Sequence, residues 1–225
     1  MSQPSLPRVA IDGPAGAGKS TVARGLADRL GYLLLDTGAL YRTVALAARR
    51  ASAPWEDEAA VSELAERLVG EGAIRCARVG DGMLVSFRGE DVSLAIRAPE
   101  MSLGASRVSA YPRVRAALLA MQRSAGEEGG VVLEGRDIGT VVFPDAEVKF
   151  FLTASPVERA RRRFEELTQR GQIVTLDQTL AEVIERDRAD TERKVAPLRC
   201  ADDAILVDSS GRDVGEIIEE MARVV

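Results

Sequence analysis

Histidine is missing from this sequence altogether. Its absence removes imidazole general bases, histidine-ligated metals and the Ser–His and Cys–His nucleophilic pairs. Asparagine is missing too, and with it any guanine-reading N-K-x-D segment of the kind a nucleotide switch needs. Only two cysteines occur, Cys76 and Cys200; two thiols supply neither a structural zinc site nor a disulfide framework. Lysine is confined to positions 19, 149 and 194, so the other 27 of the 30 basic residues are arginine. Arginine recognises phosphate bidentately where lysine offers a point charge, although a GC-rich genome would produce the same bias. No stretch approaches 18 consecutive apolar residues, and Met1 to Arg8 has no apolar core of signal-peptide length. The chain therefore reads as cytoplasmic, with no membrane partner. A formal charge of −5 argues against coating a nucleic acid. A hydrophobic content of 46% over 225 residues is enough for a real core.

What is present centres on Gly13-Pro14-Ala15-Gly16-Ala17-Gly18-Lys19-Ser20, followed by Thr21 and preceded by the apolar run Val9-Ala10-Ile11. The stretch fits G-x-x-x-x-G-K-[ST] in the required context, strand before and helix after. Glycines let successive backbone N–H groups curl toward phosphate oxygens. The positive helix end, the Lys19 charge and the Ser20 hydroxyl, a ligand for Mg²⁺, complete a nucleoside triphosphate site.

Periodicity organises the rest. Buried strands are expected at 8–11, 32–35, 131–133, 148–152 and 204–207. Helices are expected over 19–30, 39–50, 57–68, 111–125, from 155 to near Gly171, from 175 past Arg186 and Asp190 to Arg193, and from 213 onward. Gly31 reads as a C-terminal cap. Ser155-Pro156-Val157-Glu158 and Thr175-Leu176-Asp177-Gln178 both read as capping boxes, the second opening a helix with Leu180, Val183 and Ile184 inside. Segments 74–79 and 83–88, joined by Gly80-Asp81-Gly82, read as a β-hairpin that interrupts the alternation. The fold is thus expected to be α/β: a parallel five-stranded sheet of P-loop NTPase type with helices on both faces. A core of 1–50, 110–152 and 175–225 would carry an inserted subdomain at 51–109 and a short lid at 153–174. Ligands bind at the carboxyl ends of such strands, where Asp36, Glu134, Arg136 and Asp137 fall.

Five segments carry a resemblance: IDGPAGAGKST (11–21), LLDTGALYR (34–42), ASRVSAYPRVR (105–115), EGRDIGTVVFPDA (134–146) and ERDRADTERKVAPL (185–198). In this order they resemble the bacterial cytidylate kinases of the nucleoside monophosphate kinase family, over nearly the whole chain. The resemblance implies phosphoryl transfer from ATP to CMP or dCMP, giving ADP and CDP or dCDP, by a monomer with Mg²⁺ bound alongside ATP. It places Gly13 to Thr21 on the ATP phosphates, with Lys19 on the transferring oxygens and Ser20 on the metal. Arg42, Arg136, Arg186 and Arg193 become the clamp on the two phosphate groups, with Thr37 beside the acceptor and Asp190 on its ribose. Lys19, Arg136, Arg186 and Arg193 would be catalytic. Ser106, Arg115 and Asp137 match the positions that read cytosine, whose N4 amino group wants a carboxylate and whose N3 and O2 want donors. Arg161, Arg162 and Arg163 are the lid candidates. Ala189 and Thr191 dilute the family's charge run and weaken Arg188.

Plainer roles compete at several of these positions. A charge run such as Arg159 to Arg163 is by default a solvated helix face, and three consecutive arginines cannot all face one ligand. Asp36 either caps the next helix or serves the loop and its Mg²⁺. Arg136 and Asp137 could form a structural ion pair, and Tyr41 reads as packing. A shikimate- or gluconate-type kinase would lack both the insertion and the base-reading set.

Overall fold

A computed structural model describes residues 6–79 and 82–225. Strands β1 (Arg8–Asp12), β2 (Leu33–Asp36), β6 (Val131–Gly135), β7 (Val148–Thr153) and β8 (Ile205–Asp208) form one parallel sheet in the order β2-β6-β1-β7-β8. The expected five-stranded parallel sheet is therefore present. β1 lies at its centre because RVAID is buried on both faces once past Arg8, which is the pattern of a strand covered by helices above and below.

Helix α1 (Lys19–Leu30) packs on one face, where Val22, Ala23 and Leu26 meet Phe150, Leu152 and Ile217 of helix α8 (Val214–Ala222). Gly31 closes α1 at φ 70°, donating its N–H to the Ala27 and Asp28 carbonyls as a left-handed C-terminal glycine does. On the other face lie α2 (Thr37–Arg50) and α5 (Pro112–Ala125), which share a continuous cluster with α3 (Glu58–Gly70). That cluster takes in Ile74 of β3 (Ile74–Val79) and Val85 and Phe87 of β4 (Gly82–Phe87). The second sheet is thus anchored to α2 by apolar packing, not hung from a linker.

The arms of the hairpin pair antiparallel, Ile74 opposite Phe87 and Arg75 opposite Ser86; its expected turn residues Gly80 and Asp81 lie outside the described residues. Besides the 3₁₀ turn Ala95–Arg97 and the π-helical turn Ile138–Val142, two elements escaped the periodicity: strand β5 (Glu90–Asp91), only two residues long, and helix α4 (Pro99–Val108). The latter opens on Pro99 with no side-chain cap, so no start signal beyond the proline marks it.

Other differences are local. Helix α2 begins two residues early, because Asp36 accepts from Ala39 N at 3.1 Å and caps it. At helix α6 (Pro156–Gln169) Ser155 caps Glu158 N at 3.2 Å, but the box is half made. Glu158 is held instead by Arg161 and Arg162, and Ser155 N goes to Ser210 Oγ at 3.2 Å. The box at α7 (Leu176–Glu192) is complete between Thr175 and Gln178. In α7, Val183 is buried while Ile184 is 53% exposed, because Thr179, not Ile184, occupies the inner row. The helix stops at Glu192, so Arg193 sits in extended backbone beyond it. The helix expected to run to Arg193 therefore ends one residue short, and Arg186 and Arg193 do not share a helical face. Leu198 N instead turns back to the Asp190 carbonyl at 2.8 Å and folds the Arg193 segment over the helix end.

Candidate active site

The phosphate loop joins β1 to α1 and takes its shape from two positions that favour glycine, one for want of space and one for its backbone angle. A Cβ on Gly13 would stand 1.9 Å from the Leu152 carbonyl oxygen, so β7 leaves no room for a side chain there. Gly18, at φ 90°, caps α1 with no side chain, and the first turn of α1 carries no acidic residue. The amides and positive end of α1 are thus left for an anion. Ala15, Gly16, Gly18, Lys19, Ser20 and Thr21 line a cleft of about 550 Å³. Gly13, Pro14 and Ala17 shape the loop from behind: the Pro14 carbonyl accepts from Lys19 Nζ at 2.8 Å, and that of Ala17 from Ser209 Oγ at 3.0 Å.

Ser20 donates its hydroxyl hydrogen to Glu134 Oε2 at 2.9 Å, bringing the end of β6 against the loop. Both members of the buried pair Lys19 and Glu134 are driven toward neutrality. Burial, then the Arg136 charge, lowers Lys19; burial, then the Asp36 carboxylate, raises Glu134. Charges in that condition are short of a counter-ion that phosphate and metal would supply. The donor set of Ser20 hydroxyl and Glu134 carboxylate is all oxygen and suits Mg²⁺. Among the described residues no cluster of three or more acidic, Cys or His groups forms a metal cage, and Mg²⁺ characteristically rests on few protein groups plus substrate phosphates. The Asp36 oxygens are committed to Ala39 N and to Arg42 Nη2, the latter at 2.5 Å.

The rest of the cleft is lined by arginines, most of them held by carboxylates. Arg136 Nε donates to Asp190 Oδ2 at 2.8 Å, and Arg42 rests on Asp36. Arg115 pairs with Asp137 and reaches the Ser109 carbonyl at 3.3 Å; Arg193 Nη2 stands 3.7 Å from Asp137 Oδ1. Burial raises the Asp137 carboxyl, against the pull of Arg115 and Arg193. At Asp190 burial opposes ionisation, yet the Arg136 and Arg186 charges outweigh it and hold the carboxyl below its usual range. Arg186 differs from its neighbours. Among the described residues it makes no hydrogen bond or ion pair, and its Nε, like Arg42 Nε and Arg193 Nη2, is buried without a hydrogen-bond partner. Burial, then repulsion from Arg136, brings it down to about 10. Thr37 is buried with its hydroxyl on the Glu134 carbonyl at 2.8 Å, and Ser106 lines the cleft beside Ser109. Tyr41 is indeed buried, and it also faces the cleft as the ring over which the Arg115 guanidinium lies at 5.6 Å.

The arginines of α6 separate by side. Arg161 points to solvent, bound to Glu158 and Glu165, and does not reach the cleft. Arg162 and Arg163 do line it, the first held by the Ser209 carbonyl at 2.7 Å and the second by Glu166 at 2.8 Å. Arg159 contradicts the solvated-face default. It is 3% exposed, donates to the Ala154 and Ala15 carbonyls at 2.9 and 3.1 Å, and grips Asp187 of α7 with both Nη atoms at 2.9 and 2.6 Å. Arg24, Arg97, Glu166 and Arg170 also face the cleft. They escaped the sequence because nothing in their spacing sets them apart from charges on a solvated surface, which is the default.

The cytidylate kinase family model matches residues 9–225. The cytidylate kinase of Geobacter sp. (strain M21) is 54% identical over 217 residues, covering 96% of this chain and 91% of that protein. That of Syntrophotalea carbinolica is likewise 54% identical, over 96% of this chain and 91% of its own. Among solved structures, a shikimate kinase from Acinetobacter baumannii aligns at 16% identity with a TM-score of 0.45, covering 98% of this chain and 93% of that one. Among the described residues no helix is long and apolar enough to cross a membrane. With its family model matched almost end to end and relatives sharing more than half of its residues, the chain belongs to the cytidylate kinase family.

Proposed function

We propose that this chain transfers the γ-phosphoryl group of ATP to the phosphate of CMP or dCMP. Beside family membership, the observation that carries the reading is Arg186: a half-buried guanidinium with no hydrogen bond or ion pair among the described residues, in a cleft that also holds a phosphate loop and the carboxylate-paired Arg42, Arg115, Arg136 and Arg193. The attacking atom is an oxygen of the acceptor phosphate. Its second pKa is about 6, so near neutrality it is already largely anionic and needs no general base. A chain without histidine can therefore run this reaction.

What the reaction does need is two mutually repelling anions brought in line and neutralised. We assign Gly13 to Thr21 to the ATP phosphates, with Lys19 leaving the Pro14 carbonyl for them. Arg42, Arg136, Arg186 and Arg193 clamp the acceptor and transferring phosphates. Mg²⁺ bound with ATP supplies further neutralisation of the triphosphate oxygens, and Ser20 and Glu134 are the residues that would hold it. Arg162 and Arg163 close the cleft over the donor and exclude water, which would otherwise accept the phosphoryl group. Asp137, Arg115 and Ser106 read the base, with Thr37 beside the acceptor phosphate and Asp190 on the ribose. Uracil offers an acceptor at O4 and a donor at N3, so these groups would face like against like. We further assign 51–109 as the acceptor-binding insertion and 153–174 as the lid. All of these groups come from one chain, and the enzyme acts as a monomer.

The test is coupled ADP release with CMP, dCMP, UMP, AMP, shikimate and gluconate as acceptors. CMP and dCMP are expected to exceed every other acceptor in kcat/KM. The reading is falsified if UMP, AMP or either non-nucleotide is turned over as well.

A further inference from the structure

The base-reading carboxylate Asp137 occupies a position where an aspartate normally serves something else. It stands at the N-cap of the π-helical turn Ile138–Val142, with φ −148° and ψ 27°, yet its side chain caps nothing. Aspartates at such positions ordinarily spend an oxygen on the first free amides of the turn. Here those amides are satisfied from another strand. Asp12, the last residue of β1, accepts from Ile138 N through Oδ1 at 2.8 Å and from Gly139 N through Oδ2 at 2.7 Å.

We infer that Asp12 is a positioning residue for the acceptor site: it caps the turn after Asp137 in place of Asp137, leaving that carboxylate free to face Arg115, Arg193 and the incoming base. The inference rests on the base-reading role proposed above for Asp137.

Three features show that the arrangement is built. Asp12 is 4% exposed, and its backbone lies opposite Gly135 in the β1–β6 register, so strand pairing holds carboxylate and turn at fixed separation. Space is reserved for the contact: a Cβ at Gly139 would stand 3.1 Å from Lys149 Cδ and 3.5 Å from Asp12 Oδ2. Lys149 does not compete for the carboxylate, because its ammonium is bound to the Pro144 carbonyl at 2.6 Å and to Asp203 at 2.7 Å. Asp12 also directly precedes Gly13. Two charge-assisted hydrogen bonds thereby tie the root of the donor loop to the turn that carries Arg136 and Asp137.

Asp12→Asn keeps the shape but turns an amide NH₂ toward one of two backbone N–H donors. In the folded variant the KM for CMP should rise roughly tenfold to hundredfold, the span expected when one buried donor loses its acceptor. Discrimination between CMP and UMP should fall, while ATP affinity, measured by binding alone, should move less than about threefold. Adding Asp12→Asn to Asp137→Ala should cost no further discrimination, because the first acts through the second. Parallel losses for CMP and ATP, or unchanged discrimination, would overturn the inference. An Asp137→Ala variant that discriminates as well as the unmutated enzyme would instead overturn the base-reading role. Hydrogen exchange on the unmutated protein guards against a variant that does not fold. The Ile138 and Gly139 amides should be protected like those of β1 and β6 before any nucleotide is added; exchange at loop rates would dismiss the clamp.

Discussion

Arg136 on the turn after β6 and Asp190 near the end of α7 hold each other at 2.8 Å, joining segments 54 residues apart across the cleft. The guanidinium proposed above to clamp phosphate is held there by a carboxylate that substrate can outbid or share. Burial alone would favour a protonated Asp190, but Arg136 and Arg186 keep it ionised. The pair thus holds one arginine in place, while the neighbouring Arg186 has no hydrogen bond or ion pair among the described residues.

Removing that unpartnered charge should separate activity from stability. Arg186→Met takes away a half-buried guanidinium that makes no hydrogen bond among the described residues. Loss of a preorganised donor to developing charge costs roughly 10²–10³ in kcat. The folded state, relieved of an unpaired charge, should be as stable as before or slightly more so. Steady-state kinetics beside urea unfolding checks both. A variant that is less stable yet fully active would make Arg186 structural.

Arg159 leads to the opposite expectation. It clasps α6, the phosphate loop and α7 together, with a bidentate hold on Asp187, and Gly16 sits so close that a Cβ there would stand 3.1 Å from Arg159 Cβ. Arg159→Met strands the Asp187 carboxylate and the Ala154 and Ala15 carbonyls, a loss of about 3 kcal/mol in chemical unfolding. ATP binding should weaken with it, since the loop loses its backing. A loss below about 0.5 kcal/mol would return Arg159 to the solvated surface.

The contrast between these arginines marks how far the sequence could be read. The sheet and its helices were legible because VAI of RVAID, VVL of VVLEG and FFL of VKFFLT are short apolar runs between periodic helices. The phosphate loop was legible because its glycines and lysine have one common use. Arg159 was not, because a buried arginine and a solvated one look alike until the partner is known, and Asp187 lies 28 residues away. The Asp12 clamp was hidden for the same reason, acting on amides 126 and 127 residues downstream. Ile184 was misplaced because α7 rests on a narrow seam, too narrow to bury both residues of the Val183-Ile184 pair.

One surface pair makes a separable contribution to the acid response of the molecule. Glu147 accepts from Arg8 Nη2 at 2.7 Å, from Arg8 Nε at 3.1 Å and from the Arg8 amide at 2.8 Å, fastening the start of β1 to the loop before β7. These bonds, the side-chain one foremost, lower its carboxyl from 4.5 to about 2. A carboxyl whose folded value lies below its unfolded one contributes stability that is complete above about pH 4.5 and disappears as pH falls toward 2. The Glu147 side chain is 47% exposed, so solvent screening limits the contribution to less than about 1 kcal/mol. Glu147→Gln should therefore be less stable than the unmutated chain at pH 7, with the gap closing as urea unfolding is repeated at pH 4 and pH 2.5. A gap that stays constant down to pH 2.5 would mean that the glutamate acts through packing, not through its charge.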